Sequence, residues 1–480
     1  MKTFRKCFLI TSLLMCMFLF SPYRTYSCSA FTIKTEKEVF AAKSYDWTTG
    51  LGIILSNPRG ERISLPVGSN PPISWEARFG SITFNQYGQF MPNGGMNEAG
   101  LVIEVLWLDD TYYPVLNGQI PINELQWVQY HLDVCESVDE VILSLQNFAI
   151  VPVFGKLHYF VADKSGKTAI IEFLDGKAVV SDGNNLVCNV ITNDSYANSV
   201  KYLQGNYRSG SQSSSLNRFV NAKEAVENLE SNWKAKKDNK SIIDESFEVL
   251  QKVWINGWTR WNIVYDITKG QVFYKTDVSQ SIKIIDMGNF DFSTIAVPLY
   301  VNMNSFFSSN IYVNFTPFNS DVNVELMVNS SRLTGVPIKK SDMEMIARYP
   351  ETAEEVKKIM AQREANHGTI IIKIEKLKAN NGLLNVGIFN SEDSFNKQKP
   401  FNGGRVRVSN NSATIVLYNV PIKQYYAIGF FHDENFNEKM DRNKLGLPRE
   451  PYGFSGKGRK FETAKFLFDK QNMVVTIKPR

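Results

Sequence analysis

The 480-residue sequence predicts an α+β fold: a four-layer αββα sandwich followed by an all-β sandwich. Three observations support this. From residue 28 onward, strand-like segments come in pairs flanked by amphipathic helices. After a charged, helix-prone stretch at 341–366, the texture changes to short alternating runs separated by turn residues. Finally, 480 residues exceed what one hydrophobic core organises, and 12% aromatic content favours extensive strand structure.

In chain order, CSAFTIKT, VFAAKSYDW and GIILSN read as strands, the last running into a turn at Pro58 to Gly60. Helices are expected at Ile122 to Val134, opened by Pro121, and at Ser137 to Asn147, where Ser137 and Glu140 form a capping-box pattern. Strands return in LHYFVADKSGKTAIIEFLDGKAVV. Helices follow at Asn217 to Leu229 and Asp244 to Trp254, and TRWNIVYDITKGQVFYKT reads as a hairpin turning at Lys269-Gly270. The segments GTIIIKIEKL, LLNVGIFN, GRVRVSN, ATIVLYNV, YYAIGFFHD, KFLFD and MVVTIKP supply the second sandwich. The implied boundaries are 28–340, a linker helix at 341–366, and 367–480.

Residues 1–27 read as a secretory signal peptide, with Lys2, Arg5 and Lys6 before the apolar stretch Cys7 to Phe20, and small residues Thr25 and Ser27 before Cys28. The apolar run is shorter than the ~20 residues a membrane span requires. Cleavage removes Lys2, Arg5, Lys6 and Arg24 and no acid, taking the formal charge from +5 to +1. Such a balance gives no case for a nucleic-acid or other polyanionic partner. The expected location is periplasmic or secreted, with lipid anchoring at Cys28 as the alternative.

Of five cysteines, Cys28, Cys135 and Cys188 remain in the mature chain. Three is odd, so in an oxidising compartment one thiol is free or pairs between molecules; a Cys135–Cys188 disulfide is one possibility. Cleavage after Ser27 gives Cys28 a thiol and a free α-amine together. These titrate near about 8.5 and about 8, so nearby positive charge sustains a useful thiolate fraction.

The stretches CSAFTIKTEKEVFAAKSYDW, NGGMNEAGL, VITND, SLNRFVNA and TRWNIVYDITKGQVFYKT, spanning Cys28 to about Gly335, resemble in order the motifs of the choloylglycine hydrolase and penicillin V acylase family of linear-amide hydrolases. The resemblance implies the N-terminal-nucleophile version of the αββα sandwich, with Cys28 as nucleophile and its α-amine as proton shuttle. It places Asp46 where the family's aspartate bonds that amine, Asn193 at the oxyanion asparagine, and Arg218 at the arginine beside the thiol. Lys43 stands where the family has arginine, keeping the charge without the planar fork. Trp47 and Trp107 fall where Gram-negative penicillin V acylases place pocket aromatics. The implied substrates are small N-acyl amides: bile-acid conjugates, phenoxyacyl penicillins or N-acyl homoserine lactones. No cofactor is implied, and family analogy suggests a homotetramer.

Blander roles stay open from the residues alone. Asp46 and Asn193 suit turns, Arg218 suits a solvated first helical turn, and both tryptophans suit a core. A catalytically silent scaffold in a lipoprotein or binding protein is the competing function. A Cys-His dyad would need His131 or His158, neither in a recognisable setting. The segment HDENFNEKMDRNKLGLPREPYGFS resembles a bacterial exported β-sandwich family of unknown function. Its Asp433, Asn435, Asn437 and Asp441 are spaced like calcium ligands, but Glu438 and Lys444 occupy positions where an EF-hand needs glycine and glutamate, which favours a hydrogen-bonded polar loop.

Overall fold

The computed structural model describes residues 27–64, 73–114, 117–205, 215–234, 241–305, 314–334, 343–344, 347–348, 366–379, 382–408, 411–435, 440–443, 446–470 and 472–479. The signal segment before Ser27 and most of the expected 341–366 helix lie outside them.

Two antiparallel sheets form the centre of the first sandwich. One runs Val190–Ile191, Ser29–Lys34, Val39–Asp46, Thr259–Asp266, Gln271–Thr276, Ser279–Asp286. The other has nine strands, in the order Lys177–Asp182, Thr168–Leu174, Leu157–Ala162, Val102–Trp107, Pro92–Asn97, Ser81–Asn85, Ile53–Asn57, Leu299–Asn302, Thr316–Pro317. Helices Ser215–Lys234 and Ile242–Lys252 pack on the six-stranded sheet, and Gln126–Val134 packs on the nine-stranded one, which gives the αββα layers. With both faces covered, Val39–Asp46 and Val102–Trp107 are buried almost throughout and lose the polar alternation of a half-exposed strand. The edge strand Lys177–Asp182 is exposed over its first half and half-buried over the rest.

One core joins Phe31, Ala42 and Val264 of the six-stranded sheet to Phe84, Met96 and Leu106 of the other, and extends to Phe219 and Leu250 of the helices. A second sets Trp127, Val128 and Leu132 against Ile103, Tyr159 and Val161. Burying a Val, Leu, Ile or Phe side chain contributes about 1.5–3 kcal/mol, so these two cores are the main hold on the layers.

Several expected helix limits move. The helix expected from Ile122 starts at Gln126, because Ile120–Ile122 pairs in parallel with Phe148–Ile150 and Asn123 Oδ1 accepts the N–H groups of Leu125 and Gln126. Pro121 therefore lies in a short strand rather than opening a helix. Ser137 caps Val138–Ser144 through the N–H of Glu140, but the Glu140 carboxylate reaches the N–H of Glu136, one residue before the reciprocal capping-box position. The later helices run Ser215–Lys234 and Ile242–Lys252, the latter capped by Ser241. Helix Ser320–Thr334 has no counterpart in the sequence reading. Its Val, Asn, Ser and Thr residues are weak helix formers, and tertiary contacts hold it.

The C-terminal region is strand-rich as expected. One sheet orders Ala413–Pro421, His367–Ile374 and Asn472–Ile477; the other orders Asn402–Arg407, Leu383–Phe389, Gln424–Asp433 and Tyr452–Phe454, with Phe466–Phe468 also on Gln424–Asp433. Ile370 and Ile372 of the first sheet share a core with Leu384, Val386 and Ile428 of the second.

Candidate active site

Cys28 lies immediately before Ser29–Lys34, the second strand of the six-stranded sheet, and its neighbour in the sheet, Val39–Asp46, brings Lys43 and Asp46 alongside. The thiol is buried and its Sγ lies 3.9 Å from the Asp46 carbonyl oxygen. Burial pushes the thiol up to about 11, against the pull of Lys43; Asp46 adds to the rise and Arg218 opposes it.

Arg218, on helix Ser215–Lys234, is fully buried rather than solvated. Its Nη1 donates to the carbonyl of Ser27 at 2.9 Å, the residue joined to Cys28, and its Nη2 donates to Asn193 Oδ1 at 2.9 Å. Asn193 is held from three sides. Its Nδ2 donates to the Trp107 carbonyl at 2.8 Å, its backbone N–H donates to Ser215 Oγ at 2.8 Å, and its Oδ1 takes Arg218. One Nδ2 hydrogen is thus spent on orientation, and the other can donate elsewhere.

Asp46 ends its strand as a buried carboxyl instead of sitting in an exposed turn. Ser44 Oγ donates to its Oδ1 at 2.7 Å, and the Thr259 side chain also hydrogen-bonds the carboxyl. Burial raises its pKa to about 6, with Arg218 opposing.

Lys43 and Tyr45, two residues apart on one strand, both reach the nine-stranded sheet. Lys43 Nζ pairs with Glu104 Oε2 at 2.7 Å and donates to the Val105 and Asn93 carbonyls; Tyr45 donates to Gln86. Tyr265 also donates to Glu104, at 2.5 Å. Room for this carboxylate comes from Gly94, where a Cβ would sit 2.1 Å from Glu104 Oε2. Sequence reading missed Glu104; its signal was an acid in an otherwise apolar run, LVIEVLWL, two residues longer than the strand.

Cys28 lines a cavity of about 200 Å3. Trp47 and Trp107 line it too, their rings 6.1 Å apart, with Phe154 5.8 Å beyond Trp107. The structure therefore brings Cys28, Lys43, Asp46, Asn193 and Arg218 into one linked group and puts both tryptophans in the adjoining cavity.

His131 and His158 stand apart from this site. His131 Nδ1 lies 2.7 Å from the Trp127 carbonyl and Nε2 2.5 Å from Ser144 Oγ, while His158 faces Glu172 at 3.2 Å. Cys135 and Cys188 are free thiols, so the disulfide considered from sequence is not formed; Cys135 packs in the core of the Trp127 layer and Cys188 against the core between the sheets. In the C-terminal loop, Asn435 Nδ2 donates to Asp441 Oδ2, and Glu450 accepts the N–H groups of Glu434 and Asp441. Asp433 is buried nearby, and Asn437 lies outside the described residues. No group of three or more His, Cys, Asp or Glu among the described residues is arranged to hold a metal ion.

An αββα sandwich with a buried cysteine, arginine and aspartate and a half-buried asparagine beside an apolar cavity accords with the class of linear-amide hydrolases. The chain belongs to the family described as linear amide C-N hydrolases, choloylglycine hydrolase family, whose profile matches residues 28–297. A penicillin V acylase of Pectobacterium atrosepticum is 27% identical over 291 residues, covering 51% of this chain and 77% of the relative. The structure of penicillin V acylase from Agrobacterium tumefaciens matches with a TM-score of 0.53 and 26% identity, over 61% of this chain and 98% of that one. A mutant conjugated bile acid hydrolase from Clostridium perfringens matches at 18% identity and a TM-score of 0.47, over 59% of this chain and 98% of that one. Residues 372–476 match a family described as an uncharacterized protein conserved in bacteria, DUF2141.

Proposed function

We propose that this hydrolase is exported, that removal of residues 1–27 makes Cys28 the first residue, and that Cys28 attacks the amide carbon of small N-acyl amides. What carries the reading is one buried thiol that lines an apolar cavity and lies in the field of Lys43, Asp46 and Arg218, with Asn193 bonded to that arginine.

In the uncut chain the thiol, at about 11, stays protonated at neutral pH. Cleavage replaces the neutral peptide N–H with an amine beside the sulfur, and the buried Asp46 carboxyl, on the residue whose carbonyl meets Sγ, is a suitable acceptor for it. The amine takes the thiol proton as Sγ bonds to the acyl carbon. Asn193 and Arg218 then stabilise the oxyanion. The C–N bond breaks as the ammonium returns the proton to the leaving amine, which leaves a thioester on Cys28. Water then attacks the thioester, releasing the carboxylic acid and restoring thiol and amine. Trp47 and Trp107 flank the acyl group.

Candidate substrates are bile-salt conjugates, penicillin V and N-acyl homoserine lactones. The test pairs N-terminal sequencing of the secreted protein with turnover of a panel of these amides by the parent, Cys28→Ser and Cys28→Ala. A chain starting at Cys28 with a free amine, and loss of turnover in both variants, is expected. Parental rates in either variant, or a diacylglyceryl adduct on Cys28, contradicts the proposal.

A further inference from the structure

The cavity beside Cys28 has a wall from outside the family-matched stretch, which ends at residue 297. Helix Ser320–Thr334 presents Asn323, Met327 and Ser331 at four-residue spacing, hence on one face. Asn323 is the anchor: its Oδ1 accepts the Gln89 N–H at 2.8 Å and its Nδ2 donates to the Ala347 carbonyl at 2.9 Å. Asn319 caps the helix start by accepting the N–H of Val322. The close approach of helix and loop needs Gly88, where a Cβ would lie 2.9 Å from Met327 Cγ and Sδ. One turn beyond Asn323, Met327 lines the cavity and packs with Met91 and Met343, which also line it.

Three polar side chains in this lining, Glu124, Asn123 and Asn93, are engaged by the protein. Glu124 accepts the N–H groups of Val153, Phe154 and Gly155. Asn123 is bonded to Gln126 and to the N–H of Leu125, and Asn93 to Tyr45 and the N–H of Gln86. Three methionines on one side and the Trp47, Trp107 and Phe154 rings on another leave mainly dispersion and apolar burial to bind the acyl group. Methionine, unbranched and polarizable, conforms to a flexible chain better than to a fixed polycyclic shape. About 200 Å3 is also below the ~300–1,000 Å3 of sites for drug-sized ligands.

We infer that helix Ser320–Thr334 is this enzyme's acyl-specificity element, that Met327, with Met91 and Met343, sets the length of chain admitted, and that the favoured acyl group is an unbranched aliphatic chain without polar substituents. The inference rests on the reading of Cys28 as nucleophile.

The experiment uses the secreted full chain and a series of N-acyl p-nitroanilides from acetyl to tetradecanoyl, with a cholyl amide of the same amine for comparison. The parent shows one maximum along the aliphatic series and a lower kcat/KM for the cholyl amide. Met327→Ala moves the maximum to longer chains and Met327→Trp to shorter ones, changing the long-to-short ratio of kcat/KM by about tenfold or more, as loss or gain of methylene-sized space does elsewhere. Met343→Ala, moving the ratio in the same sense as Met327→Ala, guards against a Met327 variant that fails to fold. An unchanged length profile in the folded variants, or a cholyl amide as the best substrate, overturns this inference alone. Parental rates in Cys28→Ala overturn the reading beneath it, and the inference with it.

Discussion

Lys43 Nζ lies 2.7 Å from Glu104 Oε2, an ion pair buried between the two sheets, with Lys43 on the strand paired to the one that follows Cys28. Lys43 is thereby fully committed: to Glu104, to two carbonyls, and through Glu104 to Tyr265. Its charge acts on Cys28 from a fixed position, while its hydrogen bonds are spent on the scaffold.

Breaking one side of that pair strands a buried charge, so Glu104→Gln and Lys43→Met each lower stability by about 3–5 kcal/mol, whereas Lys43→Met with Glu104→Leu loses less than either single change. Urea unfolding of the three variants measures this. Additive losses in the double variant contradict the coupling.

Gly94→Ala drives a methyl into the Glu104 carboxylate. It destabilises by about 1–3 kcal/mol, as overpacking of cores does, and the loss shrinks in a Glu104→Ala background. Thermal melts of the four chains of this cycle check it.

Much of this architecture was legible in the sequence, because the paired strands and the Thr259–Asp266/Gln271–Thr276 hairpin carry their own periodicity and turn residues. What escaped depends on distant partners. Asn123 and a parallel pairing to Phe148–Ile150 override the helix signal after Pro121, and helix Ser320–Thr334 is set by Asn323 reaching Gln89 and Ala347. In the same way Arg218 and Asn193 were found through motif order, but their bond to each other and Glu104's hold on Lys43 are tertiary facts.

Asn193→Ala lowers kcat by about 100- to 1,000-fold if its remaining Nδ2 hydrogen meets the oxyanion. Arg218→Lys loses the planar fork that aims Nη2 at Asn193 Oδ1, and slows acylation as well. Single-turnover kinetics separate acylation from binding; an effect confined to KM contradicts both assignments.

Asp46 takes up a proton as pH falls through its raised value, about 6 in the uncut chain, and an α-ammonium beside it draws that value lower. Protonation of Asp46 therefore adds a limb to kcat/KM with its midpoint at or below about pH 6, with activity present above and lost below, and Asp46→Asn removes that limb while lowering the plateau. A limb centred at or below about pH 6 that survives Asp46→Asn contradicts the role.

His131 supplies a stability test away from the site. Burial lowers its pKa from 6.5 to about 4, so the unfolded chain binds the proton first. The neutral ring's contribution is intact above pH 6.5 and lost as pH falls toward 4, about 3 kcal/mol in all. Urea midpoints between pH 7.5 and 4.5 fall less steeply in His131→Gln; equal slopes contradict the assignment.

The most direct test of the central claim is acid quenching during turnover of an N-acyl amide, followed by intact mass and peptide mapping. The account predicts a thioester-linked acyl group on a peptide whose first residue is Cys28. Steady turnover with no acyl adduct on that peptide, or an adduct on another residue, contradicts it.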